Sequence, residues 1–224
     1  MQLSKREITK RFLIVIASVI VLGILTSLFY PLEKLPIINP SDLDPDLVGI
    51  NSSETFRNHK IGDFMLINQN GENITAKDYK GKIYVTNFIF TRCLSICPIM
   101  TNNMGIIQKE FLNDEDVKLL SISVTPMIDS VPVLKEYAAI NHVNSKKWNI
   151  TTGDKKVIYN LARNEFFAVL DEGDGGLQDF IHTSNFILVD KKNRIRGIYN
   201  GTMQGDIKKL IEDIKTLRRE IYIL

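Results

Sequence analysis

The stretch KIYVTNFIFTRCLSICPIMTNNMGIIQKEFL, residues 82–112, decides the fold of this chain. Residues 82–90 form a nearly continuous apolar run, which is typical of a central strand buried on both faces. From position 97 onward the apolar residues recur every three or four positions, which predicts a helix. The only two cysteines of the chain, Cys93 and Cys97, lie where the strand passes into the helix.

Strands and helices alternate outward from this stretch. The predicted order is a hairpin, strand, helix, strand, helix, strand, helix, a second hairpin and a final helix, which indicates an α/β fold. A central strand that leads into a cysteine-bearing helix, with a late hairpin and a C-terminal helix, fits a thioredoxin-like sandwich with an N-terminal β-hairpin. The flanking elements are predicted over residues 63–75 (with its turn at Asn70-Gly71), 117–124, 131–142, 146–153, 155–166, 182–201 and 204–219.

The overall composition is that of a folded globular protein. The chain has 224 residues, of which 44% are hydrophobic and 24% are charged, so one sizeable core can form. The formal net charge is only +2 at pH 7, so no large basic surface indicates nucleic-acid binding. Two cysteines are too few for a disulfide-rich scaffold.

An uncharged apolar run, residues 12–32, follows a basic N-terminal segment, residues 1–11. About 20 apolar residues span a bilayer as a helix, and the positive-inside rule keeps the basic segment in the cytoplasm. The sequence therefore predicts one uncleaved transmembrane helix over 12–32, a polar, proline-rich tether over 33–59 and a folded domain over 60–224. We expect a single-pass protein of the bacterial inner membrane with this domain in the periplasm.

The cysteine pair predicts thiol chemistry. A helix N-terminus offers free N–H groups and the positive end of the helix dipole, and both favour a thiolate over a thiol. Helical side chains four residues apart have Cβ atoms about 5–6 Å apart, whereas a relaxed disulfide requires about 3.5–4.5 Å. A metal ion between the two sulfurs tolerates the wider spacing. The spacing therefore permits both reversible oxidation and metal binding, and it favours the metal.

A histidine is the expected third ligand, because a soft Cu(I) ion binds both thiolates and imidazole. His182 follows a glycine-rich segment, residues 171–176, and is predicted to open a strand. In a thioredoxin-like arrangement that end of the strand faces the start of the cysteine-bearing helix. The other two histidines, His59 at the domain boundary and His142 at a helix end, are not expected to be ligands.

These motifs resemble the Sco/SenC family of membrane-anchored copper proteins. The resemblance covers most of residues 61–203, and a Cys-x-x-x-Cys-Pro motif followed downstream by His-Thr at a strand start is specific to that family. The matching pieces are the N-terminal anchor and the segments DFMLINQNGENIT (63–75), FIFTRCLSICPIMTNNM (88–104), SISVTP followed by VPVLKEYA, TGDKKVIYNLA and HTSNFILVDKKNRIRGIYNGT.

The resemblance implies a thioredoxin-like fold and one copper ion held by Cys93, Cys97 and His182. Copper is expected as Cu(I), and Cu(II) is left open. The implied function is that of a metallochaperone that helps to assemble the binuclear copper centre of cytochrome c oxidase. The implied partners are the copper-bearing oxidase subunit, a copper donor chaperone or a thioredoxin-like reductant, and the inner membrane, without nucleic acid.

Two positions depart from the family pattern. An acid usually precedes the proline of the second-strand motif, but Thr125 stands there before Pro126. Many members have an aspartate directly before the histidine, but Ile181 stands there. These changes put an electrostatic role of those two carboxylates in doubt, and they leave the three ligands untouched.

Two other functions stay open from the residues alone. In a membrane-anchored periplasmic thiol–disulfide reductase, acting on the oxidase subunit or on other cysteine proteins, Cys93 and Cys97 would be the catalytic redox pair, and the sequence does not order their attack. A thiol peroxidase is a weaker third hypothesis. A copper carrier breaks no substrate bond and is not an enzyme in the strict sense. His182 separates the hypotheses, because a copper carrier needs this side chain and a pure reductase does not.

Overall fold

The computed structural model describes residues 5–29, 34–43, 59–169 and 181–220. The chain forms two compact units, Met1–Glu33 and Lys34–Leu224. The first unit contains helix α1, Lys5–Phe29. Among the described residues, none of the helices has both the length and the apolarity required to cross a membrane. The transmembrane helix predicted over residues 12–32 is not confirmed.

The second unit contains the remaining regular elements of the described residues. Its strands are β1 (Met65–Asn68), β2 (Asn73–Thr75), β3 (Ile83–Ile89), β4 (Val117–Ser123), β5 (Trp148–Thr152), β6 (Asn185–Val189) and β7 (Ile195–Asn200). Its helices are α2 (Ala76–Tyr79), α3 (Ile96–Glu110), α4 (Val131–Ile140), α5 (Lys155–Asn160) and α6 (Gln204–Glu220). The predicted order of strands and helices is present, with one addition, the short helix α2 between the first hairpin and β3.

The seven strands form one mixed sheet in the order β2-β1-β5-β4-β3-β6-β7. Strands β3, β4 and β5 run parallel, and β6 pairs antiparallel with β3. The register places Ile89 opposite Ser123, so the segments that follow β3 and β4 leave the same edge of the sheet. Since β6 is antiparallel to β3, the segment that precedes β6 lies at that edge as well. This edge, which we call the cysteine edge, therefore receives the segments that follow β3 and β4 together with the segment that precedes β6.

Two apolar cores lie on the two faces of the sheet. Strand β3 is buried at every position, as its apolar run predicts. Its side chains alternate between the faces: Val85 belongs to the core that includes residues of α3 and α6, and Tyr84 belongs to the core that includes residues of α2 and α5. Both cysteines belong to the first core, so the site is built on closely packed, rigid elements.

The helix predicted over residues 155–166 ends earlier than expected. Asp154 caps α5 by accepting a hydrogen bond from the Val157 N–H, as predicted. After Asn160 the chain widens into a π-helical turn in which the Phe166 N–H donates to the Leu161 carbonyl. The wider turn brings the Phe166 ring into the core, where it is fully buried. We attribute the change from an α-helical to a π-helical turn to the burial of this ring.

Part of the predicted tether is docked against the second unit. The buried Arg196 of β7 donates to the backbone carbonyls of Leu35 and Pro36 and forms ion pairs with Asp190 and Glu220. In addition, the Ile38 N–H donates to the carbonyl of a β7 residue. Residues 34–39 are therefore held by the domain, whereas residues 44–58 lie outside the described part of the chain.

Candidate metal centre

Cys93 and Cys97 lie on either side of the start of α3. Cys93 precedes the helix, in the loop after β3, and Cys97 is the second residue of the helix. Both side chains are buried and both thiols are free. The backbone N–H of Cys97 donates to the Cys93 sulfur at 3.5 Å. Because Cys93 is not helical, the helical i, i+4 spacing expected between the two side chains does not apply, and no helix has to unwind for the sulfurs to approach each other.

The two thiols differ in acidity. Burial opposes ionisation of Cys93, but hydrogen bonds from the side chain of Ser95 and from the backbone of Cys97 outweigh it and lower the pKa of Cys93 to about 7. Deeper burial, together with the neighbouring Cys93, raises the pKa of Cys97 to about 12. Cys93 is therefore the thiol that ionises near neutral pH. A thiolate is the attacking form of a cysteine, so the lower pKa favours Cys93 over Cys97 as the nucleophile.

Asp129 holds the cysteine loop in place, and no pattern in the sequence singled it out. Its carboxylate is completely buried and accepts four hydrogen bonds. Two come from the backbone and hydroxyl of Thr91, at 3.2 and 2.6 Å. The other two come from the hydroxyls of Ser123 and Thr125, at 2.6 and 2.9 Å. Asp129 thus joins the loop after β4 to the residues directly before Cys93.

His182 lies beside the cysteine loop and is exposed. Its ring is tilted against the Phe90 ring, with 6.4 Å between the centroids. The Phe90 carbonyl accepts a hydrogen bond from the Cys93 N–H at 3.2 Å. Phe90 therefore contacts His182 through its ring and the cysteine turn through its backbone. The prediction that His182 opens a strand is wrong by three residues, because β6 begins at Asn185, where its pairing with β7 begins.

The backbone on either side of His182 is firmly held. The Thr183 hydroxyl and the Asn185 side chain both donate to the Ala168 carbonyl, at 2.8 and 3.0 Å. On the other side, Ile181 is buried in the second core. The backbone around His182 is thus held in place, while the imidazole side chain is exposed. An open groove of about 600 Å³ adjoins it, lined by Ile96, Ala168, Val169, His182, Thr183, Ser184, Asn185 and Thr202.

A complete ligand set is not assembled in the part of the chain that the structure describes. Within those residues no three His, Cys, Asp or Glu side chains lie close enough together to hold a metal ion. The structure places the Cys93 sulfur against the Cys97 backbone N–H. His182 lies on the other side of the Phe90 ring. Two sulfurs and an imidazole are soft donors of the kind that Cu(I) prefers, so the chemistry of the three side chains fits copper. Their role as ligands stays a prediction.

The other two histidines have local structural surroundings. His59 is buried, its Nε2 lies 2.8 Å from the Glu165 carbonyl, and its ring packs edge-on against Phe167. His142 follows α4 with a φ of 54°. Neither residue lies at the cysteine edge. The glycine-rich segment 171–176 lies outside the described residues.

Comparison with known proteins places this geometry in one family. The family model described as SCO1/SenC matches residues 52–219, which is most of the chain. The chain belongs to the SCO1/SenC family. A curated member, the SCO1 protein homolog of Bacillus subtilis, is 33% identical over 161 residues, which cover 71% of this chain and 83% of that protein. The resemblance drawn from the sequence motifs is therefore confirmed.

Solved Sco structures share the fold of the second unit. BsSco, described as a member of the Sco family of cytochrome c oxidase assembly proteins with a disulfide switch, is 32% identical, with a TM-score of 0.61 over 72% of this chain and 94% of that one. ScoI of Bradyrhizobium japonicum, solved with copper bound, is 23% identical, with a TM-score of 0.56 over 70% of this chain and 98% of that one. The thioredoxin-like Sco fold is thus confirmed.

Proposed function

We propose that this chain binds copper and delivers it during assembly of the binuclear copper centre of cytochrome c oxidase. The observation that carries the proposal is the free cysteine pair at the start of α3, with His182 packed against the Phe90 ring next to it. Membership of a family whose relatives include a cytochrome c oxidase assembly protein supports the acceptor. Copper is the cargo of this protein, and its transfer proceeds by exchange of ligands without breaking a substrate bond.

Each of the three side chains has a distinct task in this proposal. Cys93 supplies a thiolate at neutral pH, because its pKa is lowered to about 7. Cys97 is a thiol until the metal displaces its proton, since a coordinating thiol is deprotonated. His182 adds the imidazole, and its backbone is already held by Thr183. Binding therefore requires movement of one exposed side chain rather than refolding of the site.

An anaerobic titration tests the ligand set. The reduced full chain is titrated with Cu(I) against a chromogenic chelator, together with Cys93→Ser, Cys97→Ser and His182→Asn. His142→Asn is the matched control, because asparagine tolerates the positive φ of His142. We expect the wild type to bind one copper per chain and both cysteine variants to lose tight binding. His182→Asn should bind copper more weakly, whereas His142→Asn should bind it like the wild type. Equal copper binding by all variants would falsify the assignment.

We propose that residues 12–32 anchor the chain in the bacterial inner membrane, with the copper-binding unit on the periplasmic side. Support comes from the sequence, in which a basic segment precedes an uncharged apolar run. In α1, Phe12, Ile14 and Leu22 also leave most of their side-chain surface exposed. Protease treatment of intact spheroplasts should remove the second unit from the membrane fraction. Protection until the membrane is lysed would contradict this orientation.

A second candidate function is thiol–disulfide reduction, and the difference in pKa between the two cysteines favours it specifically. The Cys93 thiolate would attack a substrate disulfide and release one substrate thiolate. Cys97 would then lose its proton, attack the Cys93 sulfur and release the second substrate thiol, leaving a Cys93–Cys97 disulfide. A thioredoxin-like reductant must restore the two thiols. His182→Asn separates the functions, since reductase turnover should survive this change and copper affinity should fall.

A further inference from the structure

Four segments at the cysteine edge carry almost no exposed charge. Charged residues make up 24% of the chain. These four segments contain two charged residues, Arg92 and Asp129, and Asp129 is completely buried. These segments are residues 90–101, 123–132, 181–187 and 199–205. The segment after β5 leaves the same edge and adds the exposed Asp154 and Lys156.

Large apolar side chains project from the same segments into solvent. Leu94, between the two cysteines, is 95% exposed, and Met127 is 87% exposed. Ile99, Ile128 and Met203 each leave more than 40% of their surface exposed. Exposed apolar groups that occur together mark interaction sites more often than chance placement does. Depletion of charge with enrichment of methionine is typical of the buried centre of a protein–protein interface.

Specific contacts bring these side chains around the thiols. Met127 stands at the tip of a turn in which the N–H groups of Ile128 and Asp129 both donate to the Thr125 carbonyl. Asp129 binds that turn to Thr91, two residues before Cys93. Met127 therefore lies on one side of the cysteine loop.

Met203 lies next to a residue of the groove that His182 lines. It follows Thr202, which lines the same groove as Ile96 and His182. The Gly201 N–H also donates to a carbonyl of the segment between His182 and β6. Leu94 directly follows Cys93 in the cysteine loop.

We propose that Leu94, Met127, Ile128, Ile99 and Met203 form an apolar docking face for the protein that accepts copper, and that the acceptor presents a matching uncharged, apolar surface around its own copper ligands. This inference rests on the proposed function and specifies how the acceptor is recognised. The charge of the face indicates the kind of partner. The face carries one exposed charge, Arg92, so a partner that is recognised through several complementary charges does not fit it. Contact through this face excludes water from the thiols while copper changes ligands.

The test measures transfer of Cu(I) from the loaded full chain to the purified soluble domain of the oxidase subunit that carries the binuclear centre. Leu94→Glu and Leu94→Lys each place an unpaired charge at the centre of the contact, which is costly to bury. We expect both changes to reduce the second-order rate constant about ten-fold or more. Ile140→Glu is the control, because Ile140 is 69% exposed at the far end of α4. It should transfer copper at the rate of the wild type.

A second pair of variants separates apolar docking from metal binding by sulfur. Met127→Glu should slow transfer about ten-fold, whereas Met127→Leu keeps the apolar surface and should stay within about two-fold of the wild type. The chelator titration reports the copper affinity of every variant, so a loss of binding is not mistaken for a loss of docking.

The outcomes distinguish the docking face from the function on which it depends. Transfer at the wild-type rate by both Leu94 variants refutes the face and leaves copper delivery intact. Faster transfer by one charge and slower transfer by the other shows electrostatic docking and also refutes the face. Equal slowing by Met127→Leu and Met127→Glu assigns the thioether as a ligand instead. A wild-type chain that binds copper but does not deliver it to this domain refutes the acceptor and the docking face together.

Discussion

Replacing Asp129 with alanine should loosen the cysteine loop and destabilise the second unit. The variant loses four hydrogen bonds to a buried carboxylate, two of them from Thr91. The three hydroxyl donors can rotate, but the backbone N–H of Thr91 cannot, and an unsatisfied buried donor costs about 1–3 kcal/mol. One further uncompensated bond to a charged group adds about 1.5 kcal/mol. We therefore expect a loss of about 2.5–4.5 kcal/mol in the free energy of unfolding. Asp129→Asn keeps one acceptor oxygen and should lose about half as much.

Urea unfolding followed by tryptophan fluorescence measures this loss. Trp148 is the only tryptophan of the chain, it is buried, and its indole N–H donates to Ser121 at 2.9 Å, so its emission reports the second unit alone. The control is Asp63→Ala, because Asp63 is exposed and such a change is usually worth less than about 0.5 kcal/mol. If Asp129→Ala and Asp63→Ala unfold at the same urea concentration with equal slopes, the carboxylate does not hold the loop.

Three further changes have defined outcomes. In Cys97→Ser, the rate of Cys93 alkylation by iodoacetamide should rise with pH around a midpoint of about 7; a midpoint near 9 would contradict the lowered pKa. Because that pKa is lower in the folded chain, ionisation stabilises the fold fully above about pH 9, and the contribution is lost as the pH falls to about 7. Arg196→Met should expose residues 34–39 to limited proteolysis, and unchanged cleavage there would show that the clamp is dispensable. Gly201→Ala would place a Cβ against the Phe186 ring and should cost about 1–3 kcal/mol in the same urea assay.

The sequence predicted the parts of this fold that depend on local pattern. The apolar run of β3 and the helical spacing of α3 each stand out within about ten residues, so their type and place were predictable. The two cysteines were predictable as a site, because they are the only ones and lie at that junction. The cysteine loop itself was not, since the helix begins at Ile96 and leaves Cys93 outside it.

Long-range contacts account for what the sequence did not predict. Asp129 looks like an ordinary turn residue, and its importance depends on Thr91, which lies 38 positions away. Arg196 alternates with apolar neighbours in β7 and looks like a surface residue of a half-buried strand. Only the fold reveals that Leu35, 161 positions earlier, covers it. The alternating pattern cannot distinguish a side chain that faces solvent from one that is covered by a distant segment.

The two departures from the family pattern become intelligible from the same contacts. Thr125 replaces an acid, and its hydroxyl donates to Asp129 at 2.9 Å. A second carboxylate at position 125 would face the buried one at short range, whereas the threonine satisfies it, so this chain holds its cysteine loop with one buried charge instead of two. Ile181 replaces an aspartate and is buried in the second core. It anchors the backbone directly before His182 by packing, which is a contact that a solvated carboxylate cannot make. At both positions the chain replaces an electrostatic contribution with a mechanical one, and the pKa of Cys93 is lowered by the hydrogen bonds from Ser95 and Cys97.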